Sequence, residues 1–202
     1  KPGTGRRELA LNSSTLLETD AQDVEKRIDA LLSAAELVET EADWLQLPGA
    51  ARAEQILARF LLEIHQAPSS LPPILVDKAV EWAQQKAGFG FAEAQSTGIS
   101  QGLESKVSIL TGGPGTGKTT ILRSLVAILK AKKTKILLAA PTGRAARRMA
   151  ESSSHFAQTI HRLLKFEPSK GGFSVNENSP LTCDFLIMDE ASMLDVRLAA
   201  AL

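Results

Sequence analysis

The chain has 202 residues, 44% of them apolar, which is enough to form the core of one large domain or of two small ones. Its apolar runs all fall short of the roughly 20 residues that a bilayer-spanning helix requires, so the sequence argues against a helical membrane protein. The net charge is zero, but residues 1–92 hold 9 basic and 14 acidic side chains, and residues 93–202 hold 14 and 9. An acidic first part and a basic second part favour two units with anion binding in the second, although ordinary scatter of charge would produce the same split.

The first residues, KPGTGRRELALNSS, are polar and begin with Lys1. We therefore expect no secretory signal peptide, and we expect the chain to be a fragment of a longer protein. The single cysteine, Cys183, has no second cysteine with which to form an internal disulfide, which is typical of a reducing compartment. These features predict a cytoplasmic protein without membrane association.

Residues 1–66 are predicted to form a small, mainly helical domain. An amphipathic helix is expected in TDAQDVEKRIDALLSAAELVE, with Thr19 and Gln22 as its capping box. LVETEADWLQL predicts two short strands joined by a turn at residues 41–43, and ARAEQILARFLLEIHQ predicts a second amphipathic helix. A helix, a hairpin and a helix in this order favour a winged-helix-like unit.

Residues 67–90 are predicted to connect this domain to a second one. APSSLPP, residues 67–73, indicates a linker, and ILVDKAVEWAQQKAG indicates a helix that ends at Gly88. From residue 91 the pattern changes, because the short apolar segments KVSIL, KILLAA and DFLIMDE alternate with helical stretches. Such strands indicate a parallel sheet covered on both faces, so residues 91–202 are predicted to form an α/β domain.

The segments between these strands have patterns of their own. A helix is expected from Lys118 to about Lys132, and two shorter helices in GRAARRMAESS and AQTIHRLLKF. EPSKGGFSVNENSPLT predicts a loop or a hairpin.

Residues 112–119 fit the P-loop pattern G-x-x-x-x-G-K-[ST] between a predicted strand and a predicted helix. Glycines allow the loop to turn so that successive N–H groups point at one phosphate, and the helix N-terminus adds partial positive charge. Lys118 is expected to contact the β- and γ-phosphates, and the Thr119 hydroxyl is expected to bind Mg²⁺. The alternative is a glycine turn that only joins strand to helix. The loop residues predicted to bind the nucleotide are Gly113, Gly115, Thr116, Gly117, Lys118, Thr119 and Thr120.

Two carboxylates, Asp189 and Glu190, follow the last apolar strand. Because ligands collect at the carboxyl ends of parallel strands, both are expected near the glycine loop. Asp189 is predicted to hold Mg²⁺, and Glu190 to orient or deprotonate a water at the γ-phosphate. The alternative is that the two acids are solvated and cap the following helix.

The stretch AAPTGRAARRMA places Arg144, Arg147 and Arg148 at helical spacing after the second apolar strand. A nearby TIHRLLKF adds further basic groups. These side chains suit contact with a phosphodiester backbone, but a solvated helix face would have the same pattern.

Four blocks, ILTGGPGTGKTT, APTGRAARRM, TIHRLL and PLTCDFLIMDEASMLD, in this order resemble the RecD-like helicases, the exodeoxyribonuclease V alpha-subunit family of superfamily-one DNA helicases. The resemblance covers about residues 91–196. It implies a RecA-like P-loop motor domain that hydrolyses ATP with Mg²⁺ and moves 5′ to 3′ along single-stranded DNA. It also implies a role in DNA recombination and repair, with other subunits of a recombination complex as partners.

The resemblance also implies residue roles by position. Lys118, Thr119, Asp189 and Glu190 match the family's phosphate, magnesium and water residues. Its first DNA-contacting block is matched by Pro141, Thr142 and Arg144, and its next by Thr159 and His161. FAEAQSTGISQGLESKVSIL resembles the adenine-reading segment, with Gln95 as its glutamine and Gln101 as a rival of the same type. A side-chain amide offers adenine one donor and one acceptor group.

The sequence departs from the family pattern after Asp189 and Glu190, because the motifs of a second RecA-like domain have no counterpart before Leu202. These motifs include an arginine that would reach the γ-phosphate. We therefore expect a truncated motor domain that binds ATP with Mg²⁺ weakly and hydrolyses it slowly on its own. Two alternatives stay open: a small-molecule kinase, and a P-loop nucleotide-binding adaptor without helicase activity.

Overall fold

The structure is a computed structural model that describes residues 3–41, 43–169 and 171–202. The described residues fall into two compact units. One contains the residues up to Phe60 together with Asp195–Ala200, and the other contains Leu61–Leu194 with Ala201–Leu202. Within the described ranges, every helix is too short or too polar to cross a bilayer. The domain boundaries expected at residues 66 and 90 stay a prediction.

The first unit combines helices with a small antiparallel sheet. Its elements in chain order are β1 (Thr4–Gly5), α1 (Arg6–Leu17), α2 (Ala21–Ser33), β2 (Val38–Glu41), β3 (Trp44–Gln46) and the first part of α3 (Pro48–Gln66). The sheet order is β1-β3-β2, and a small core forms around Leu45 and Ile28. The predicted order of helix, hairpin and helix is confirmed, while the turn expected at 41–43 includes Ala42, which lies outside the described residues.

The sequence did not indicate α1, and it misplaced the start of α2. In α1 only Ala10 and Ser14 are buried, so its sequence lacks a clear apolar stripe. The N-cap of α2 is Asp20, whose carboxylate accepts from the Gln22 N–H at 2.7 Å. The predicted capping box at Thr19 is therefore wrong, since the Thr19 N–H donates to the Ser14 carbonyl at the end of α1.

The second unit begins within α3 and carries most of the remaining helices and strands. In chain order these are α4 (Val76–Ala87), α5 (Glu93–Glu104), α6 (Lys118–Ala131), β4 (Ile136–Ala140), α7 (Gly143–Ser153), β5 (Ala157–Thr159), α8 (Ile160–Leu163), β6 (Phe166–Glu167), β7 (Gly172–Phe173), β8 (Phe185–Met188) and a 3₁₀ turn (Ala191–Met193). The last helix, α9 (Val196–Ala200), belongs to the first unit. As predicted, α4 ends at Gly88, which has a left-handed backbone with φ 80°.

The sheet that positions the candidate site has the order β5-β4-β8, and both strand pairs are parallel. Leu138 in the central strand lies opposite Ala157 on one side and Ile187 on the other. Helices α4, α5, α6 and α7 contribute to the core around this sheet, with Leu129 of α6 fully buried. The predicted α/β class with a parallel sheet is thus confirmed.

Two predicted elements of this unit are wrong. KVSIL was expected to be a buried strand, but residues 106–110 belong to no strand and Ile109 is 87% exposed. An apolar run indicates a strand only if another backbone pairs with it, and local sequence does not determine that pairing. AQTIHRLLKF was expected to be one helix, but residues 157–159 pair with β4 as strand β5 before the short helix α8 begins.

The segment expected to be a loop or a hairpin contains strand β7, which pairs antiparallel with β6, with Phe166 opposite Phe173. Both rings lie beside the imidazole of His161, with ring centroids 5.7 and 5.8 Å from it. This aromatic cluster fixes the hairpin next to α8, because offset and edge-to-face ring pairs are favourable at such distances.

Candidate nucleotide-binding site

The glycine loop leads directly into the N-terminus of α6. Gly115 and Gly117 have φ values of 74° and 86°, which non-glycine residues adopt only at a cost. Gly117 is the N-cap, and its carbonyl accepts from the Thr120 N–H at 2.9 Å in the first turn. The loop therefore reverses the chain at the positive end of the helix dipole, which favours binding of an anion.

Lys118 reaches back across the loop that precedes it. Its Nζ donates to the carbonyl oxygens of Gly112 at 2.5 Å and Gly113 at 2.7 Å. The Thr116 hydroxyl donates to the same Gly113 carbonyl at 2.9 Å, which fixes the curvature of the loop. The ammonium group thus lies where phosphate oxygens can replace carbonyl oxygens as its acceptors.

Helix α5 approaches α6 closely because two of its contact residues are glycines. A methyl group on Gly98 would lie 3.1 Å from the Ile121 Cδ1, and one on Gly102 would lie 3.2 Å from the Leu125 Cδ1 and Cδ2. Small residues at these positions let the two helix backbones come together. The first turn of α5, which carries Gln95, is thereby held beside the first turn of α6.

Gln95 lies against the end of the glycine loop. Its Oε1 accepts from the Ala92 N–H at 3.0 Å, while its Nε2 is so near Gly117 that a methyl group there would lie 1.9 Å away. Gln101 lies farther along α5, where it lines an open cavity of about 440 Å³ with Ile109. The structure thus brings Gln95 to the loop residue that caps α6, and its predicted contact with adenine stays a prediction.

Asp189 and Glu190 follow β8 at the carboxyl edge of the sheet. The Asp189 N–H continues the ladder by donating to the Ala139 carbonyl at 3.0 Å, and its Oδ1 accepts from the Glu190 N–H at 2.9 Å. Glu190 has a left-handed backbone, with φ 53° and ψ 39°. Its Oε1 accepts a hydrogen bond from the Arg148 Nη2 at 3.1 Å.

The three arginines of α7 have different surroundings. Arg144 and Arg148 line a cavity of about 400 Å³ together with Thr142, Glu190 and two further residues. Arg147 instead forms an ion pair along its own helix with Glu151, at 3.0 Å. The spacing of the arginines indicated a basic face, but it gave no sign of the pair between Arg148 and Glu190, whose partners are 42 residues apart.

Pro141, Thr142 and Thr159 all lie at the ends of neighbouring strands. Pro141 follows β4, and Thr159 ends β5 opposite Ala140. The Thr142 hydroxyl caps α7 by accepting from the Ala145 N–H at 3.2 Å, and the Thr159 hydroxyl caps α8 in the same way. The hydroxyls thus act as helix caps, while their contacts with DNA stay predictions, as does that of His161 in the aromatic cluster.

The predicted magnesium site consists of the Thr119 hydroxyl and the Asp189 carboxylate. Within the described ranges, no group of three or more His, Cys, Asp or Glu residues is arranged to hold a metal ion. Oxygen donors of these two types do suit Mg²⁺, which commonly takes one or two protein ligands and completes its shell with phosphate oxygens and water. The donor set therefore fits a nucleotide-bound ion, and the assignment stays a prediction.

Comparison with known proteins places these features in a family. A family model described as "AAA domain" matches residues 95–202, more than half of the chain. The ATP-dependent RecD2 DNA helicase of Deinococcus radiodurans is 35% identical over 194 residues, covering 96% of this chain and 25% of that protein. The RecBCD enzyme subunit RecD of Haemophilus influenzae is 36% identical over 132 residues, covering 54% of this chain and 21% of that protein.

A third relative, the RecBCD enzyme subunit RecD of Mycolicibacterium smegmatis, is 35% identical over 142 residues, covering 57% of this chain and 25% of that protein. The chain thus spans about a quarter of the length of these relatives. The family match begins at Gln95 and includes the glycine loop, the helix α7 and the carboxylates after β8. The chain therefore belongs to the AAA domain family and is a RecD-like member of it.

Proposed function

We propose that the chain is part of the motor of an ATP-dependent DNA helicase, in which ATP hydrolysis drives 5′-to-3′ movement along single-stranded DNA. The observation that carries this proposal is the position of the Lys118 ammonium, inside the glycine loop at the N-terminus of α6. The names of the similar proteins, a DNA helicase and subunits of the RecBCD enzyme, support a motor that acts on DNA.

In this proposal the loop binds the phosphates of ATP. The left-handed glycines 115 and 117 turn the chain around the anion, and the ammonium of Lys118 exchanges its carbonyl acceptors for phosphate oxygens. Mg²⁺ held by Thr119 and Asp189 would neutralise part of the phosphate charge. Gln95, fixed beside Gly117, would recognise the base edge of adenine.

Glu190 would act as the base for the attacking water. A carboxylate at the end of β8 can accept a proton from a water that is aligned with the γ-phosphate. In the structure this carboxylate instead accepts from Arg148. In this proposal the Glu190 side chain leaves that hydrogen bond when it turns to the attacking water.

Single-stranded DNA would bind at the strand ends that carry Pro141, Thr142 and Thr159, with the Arg144 guanidinium contacting phosphates. His161 on the adjoining α8 would extend this surface. We infer that the helicase also contains a second motor domain. In some complexes it also binds partner subunits that act in recombination. The arginine that would stabilise the transferred phosphoryl group would come from that second domain.

The test is the ATPase rate of the full-length protein with and without a single-stranded oligonucleotide. Stimulation by the oligonucleotide, lost in Lys118→Ala, is the expected result. Binding of ATP without hydrolysis or stimulation would instead favour a nucleotide-binding adaptor. No binding of ATP at all would contradict both functions.

A further inference from the structure

The ion pair between Arg148 and Glu190 connects two parts of the site that are distant in sequence. The Arg148 Nη2 lies 3.1 Å from the Glu190 Oε1. Arg148 belongs to the helix that follows β4, and Glu190 follows β8, so the pair joins the ends of two adjacent parallel strands. The predicted base for ATP hydrolysis is thereby held by the predicted DNA-contacting segment.

Helix α7 is anchored, but the end of the Arg148 side chain is free to change partners. Ala145, Ala146 and Met149 are almost fully buried and hold one face of the helix. The Arg148 side chain is 64% exposed. Arg144 lies one turn earlier and lines the same cavity, so a phosphate that enters the cavity meets two guanidinium groups.

The ion pair between Arg148 and Glu190 is weak enough for another anion to replace Glu190. The Glu190 side chain is 39% exposed, so water and salt screen its attraction to Arg148. A phosphodiester group offers a guanidinium two acceptor oxygens in the geometry that it prefers, and Arg144 adds a second positive charge. Nucleic acid can therefore compete with Glu190 for Arg148.

We propose that Arg148 is a positioning residue that holds the Glu190 carboxylate against α7 until a nucleic-acid phosphate takes its place. This inference rests on the proposed function, because it assigns Glu190 to hydrolysis and the cavity to DNA. Occupation of the cavity releases Glu190 to the water at the γ-phosphate. By linkage, loss of the Glu190 charge tightens the binding of nucleic acid.

The first test measures DNA binding without any nucleotide. A fluorescent oligo-dT is titrated with the full-length wild type, Glu190→Gln, Arg148→Ala and the double variant. We expect Glu190→Gln to tighten binding by about fivefold, and we expect the same change in an Arg148→Ala background to have no effect. An equal gain in both backgrounds would reflect only the removal of one negative charge, and would overturn the proposal, as would no gain in either.

The second test measures ATP hydrolysis with and without the oligonucleotide. Arg148→Ala is expected to raise the DNA-free rate and to lower the stimulation ratio, whereas Arg147→Ala, which breaks only the pair with Glu151, leaves the ratio unchanged. An equal loss of both rates in Arg148→Ala, at unchanged melting temperature, would overturn the proposal. A wild type that binds DNA but does not hydrolyse ATP contradicts the proposed function, and the binding test still decides whether the pair is exchanged.

Discussion

The side-chain amide of Gln95 lies directly against the α-carbon of Gly117, so that a methyl group at Gly117 would be 1.9 Å from the Gln95 Nε2. The two residues are on different helices, and their contact joins the start of α5 to the N-cap of α6. Because Gly117 has no side chain, the amide of Gln95 can lie beside the glycine loop.

Gly117→Ala is expected to destabilise the protein for two separable reasons. The φ of 86° is costly for alanine, and the new methyl group displaces Gln95. The matched control is Gly88→Ala, which has a φ of 80° but no atom within 4 Å of the added methyl. We expect about 1 kcal/mol of destabilisation at Gly88 and more at Gly117, measured by urea unfolding.

The contribution of the contact is isolated by repeating Gly117→Ala in a Gln95→Ala background. The extra cost at Gly117 should then disappear, leaving only the backbone term that Gly88 also shows. If the extra cost persists without Gln95, the contact between these residues does not explain it.

Lys118→Ala is expected to weaken the binding of a fluorescent ATP analogue by about 10- to 100-fold, because a charged hydrogen-bond donor to the phosphates is lost. Lys130→Ala is the control on the same helix, since its ammonium donates to the Ser154 carbonyl at the other end. Equal affinities for wild type and Lys118→Ala would contradict the phosphate-binding role.

Glu190→Gln is expected to lower the rate of ATP hydrolysis on the order of 100-fold or more, while binding of ATP is retained. An amide cannot accept the proton of the attacking water, but it has nearly the same shape as the carboxylate. Glu151→Gln serves as the control, because Glu151 pairs only along its own helix with Arg147 in the bonds that the structure describes. Rates within twofold of wild type would exclude Glu190 as the base.

Leu129→Ala is expected to cost about 2–5 kcal/mol of unfolding free energy, because Leu129 is fully buried in the core of the second unit. Leu75→Ala removes the same atoms from a side chain that is 70% exposed, and it should cost much less. Chemical denaturation of both variants gives the comparison. Similar losses of unfolding free energy at the two positions would contradict the burial of Leu129.

Cys183 is expected to react slowly with iodoacetamide at neutral pH. Burial raises the pKa of its thiol, and the neighbouring Asp184 raises this pKa further. Since the thiolate is the reactive form, alkylation should be slower than for a free cysteine and should speed up in urea. Stability should fall as the pH rises above the ordinary thiol pKa, because the unfolded state then loses its proton first.

The sequence was most informative where local chemistry determines the structure. The P-loop pattern identified the start of α6 at Lys118, and the apolar runs at residues 136–140 and 185–188 identified two strands of the parallel sheet. These features depend on glycine conformations, helix dipoles and side-chain periodicity, which neighbouring residues define.

The sequence was least informative where pairing between distant segments determines the structure. Residues 106–110 have the composition of a strand but belong to none, whereas Ala157–Thr159 forms one because it pairs with β4. The pair between Arg148 and Glu190 likewise depends on two strands lying side by side. Such relationships follow from tertiary structure and leave no periodic signal in one sequence.

The left-handed backbone of Glu190 has a consequence for protein engineering. Glycine or asparagine would fit that turn with less strain, so a redesign guided by stability alone would replace the glutamate. The role that we propose for its carboxylate in hydrolysis gives a reason to keep glutamate there in spite of this main-chain geometry. Thermostabilised variants of this protein should therefore be selected with residue 190 held fixed.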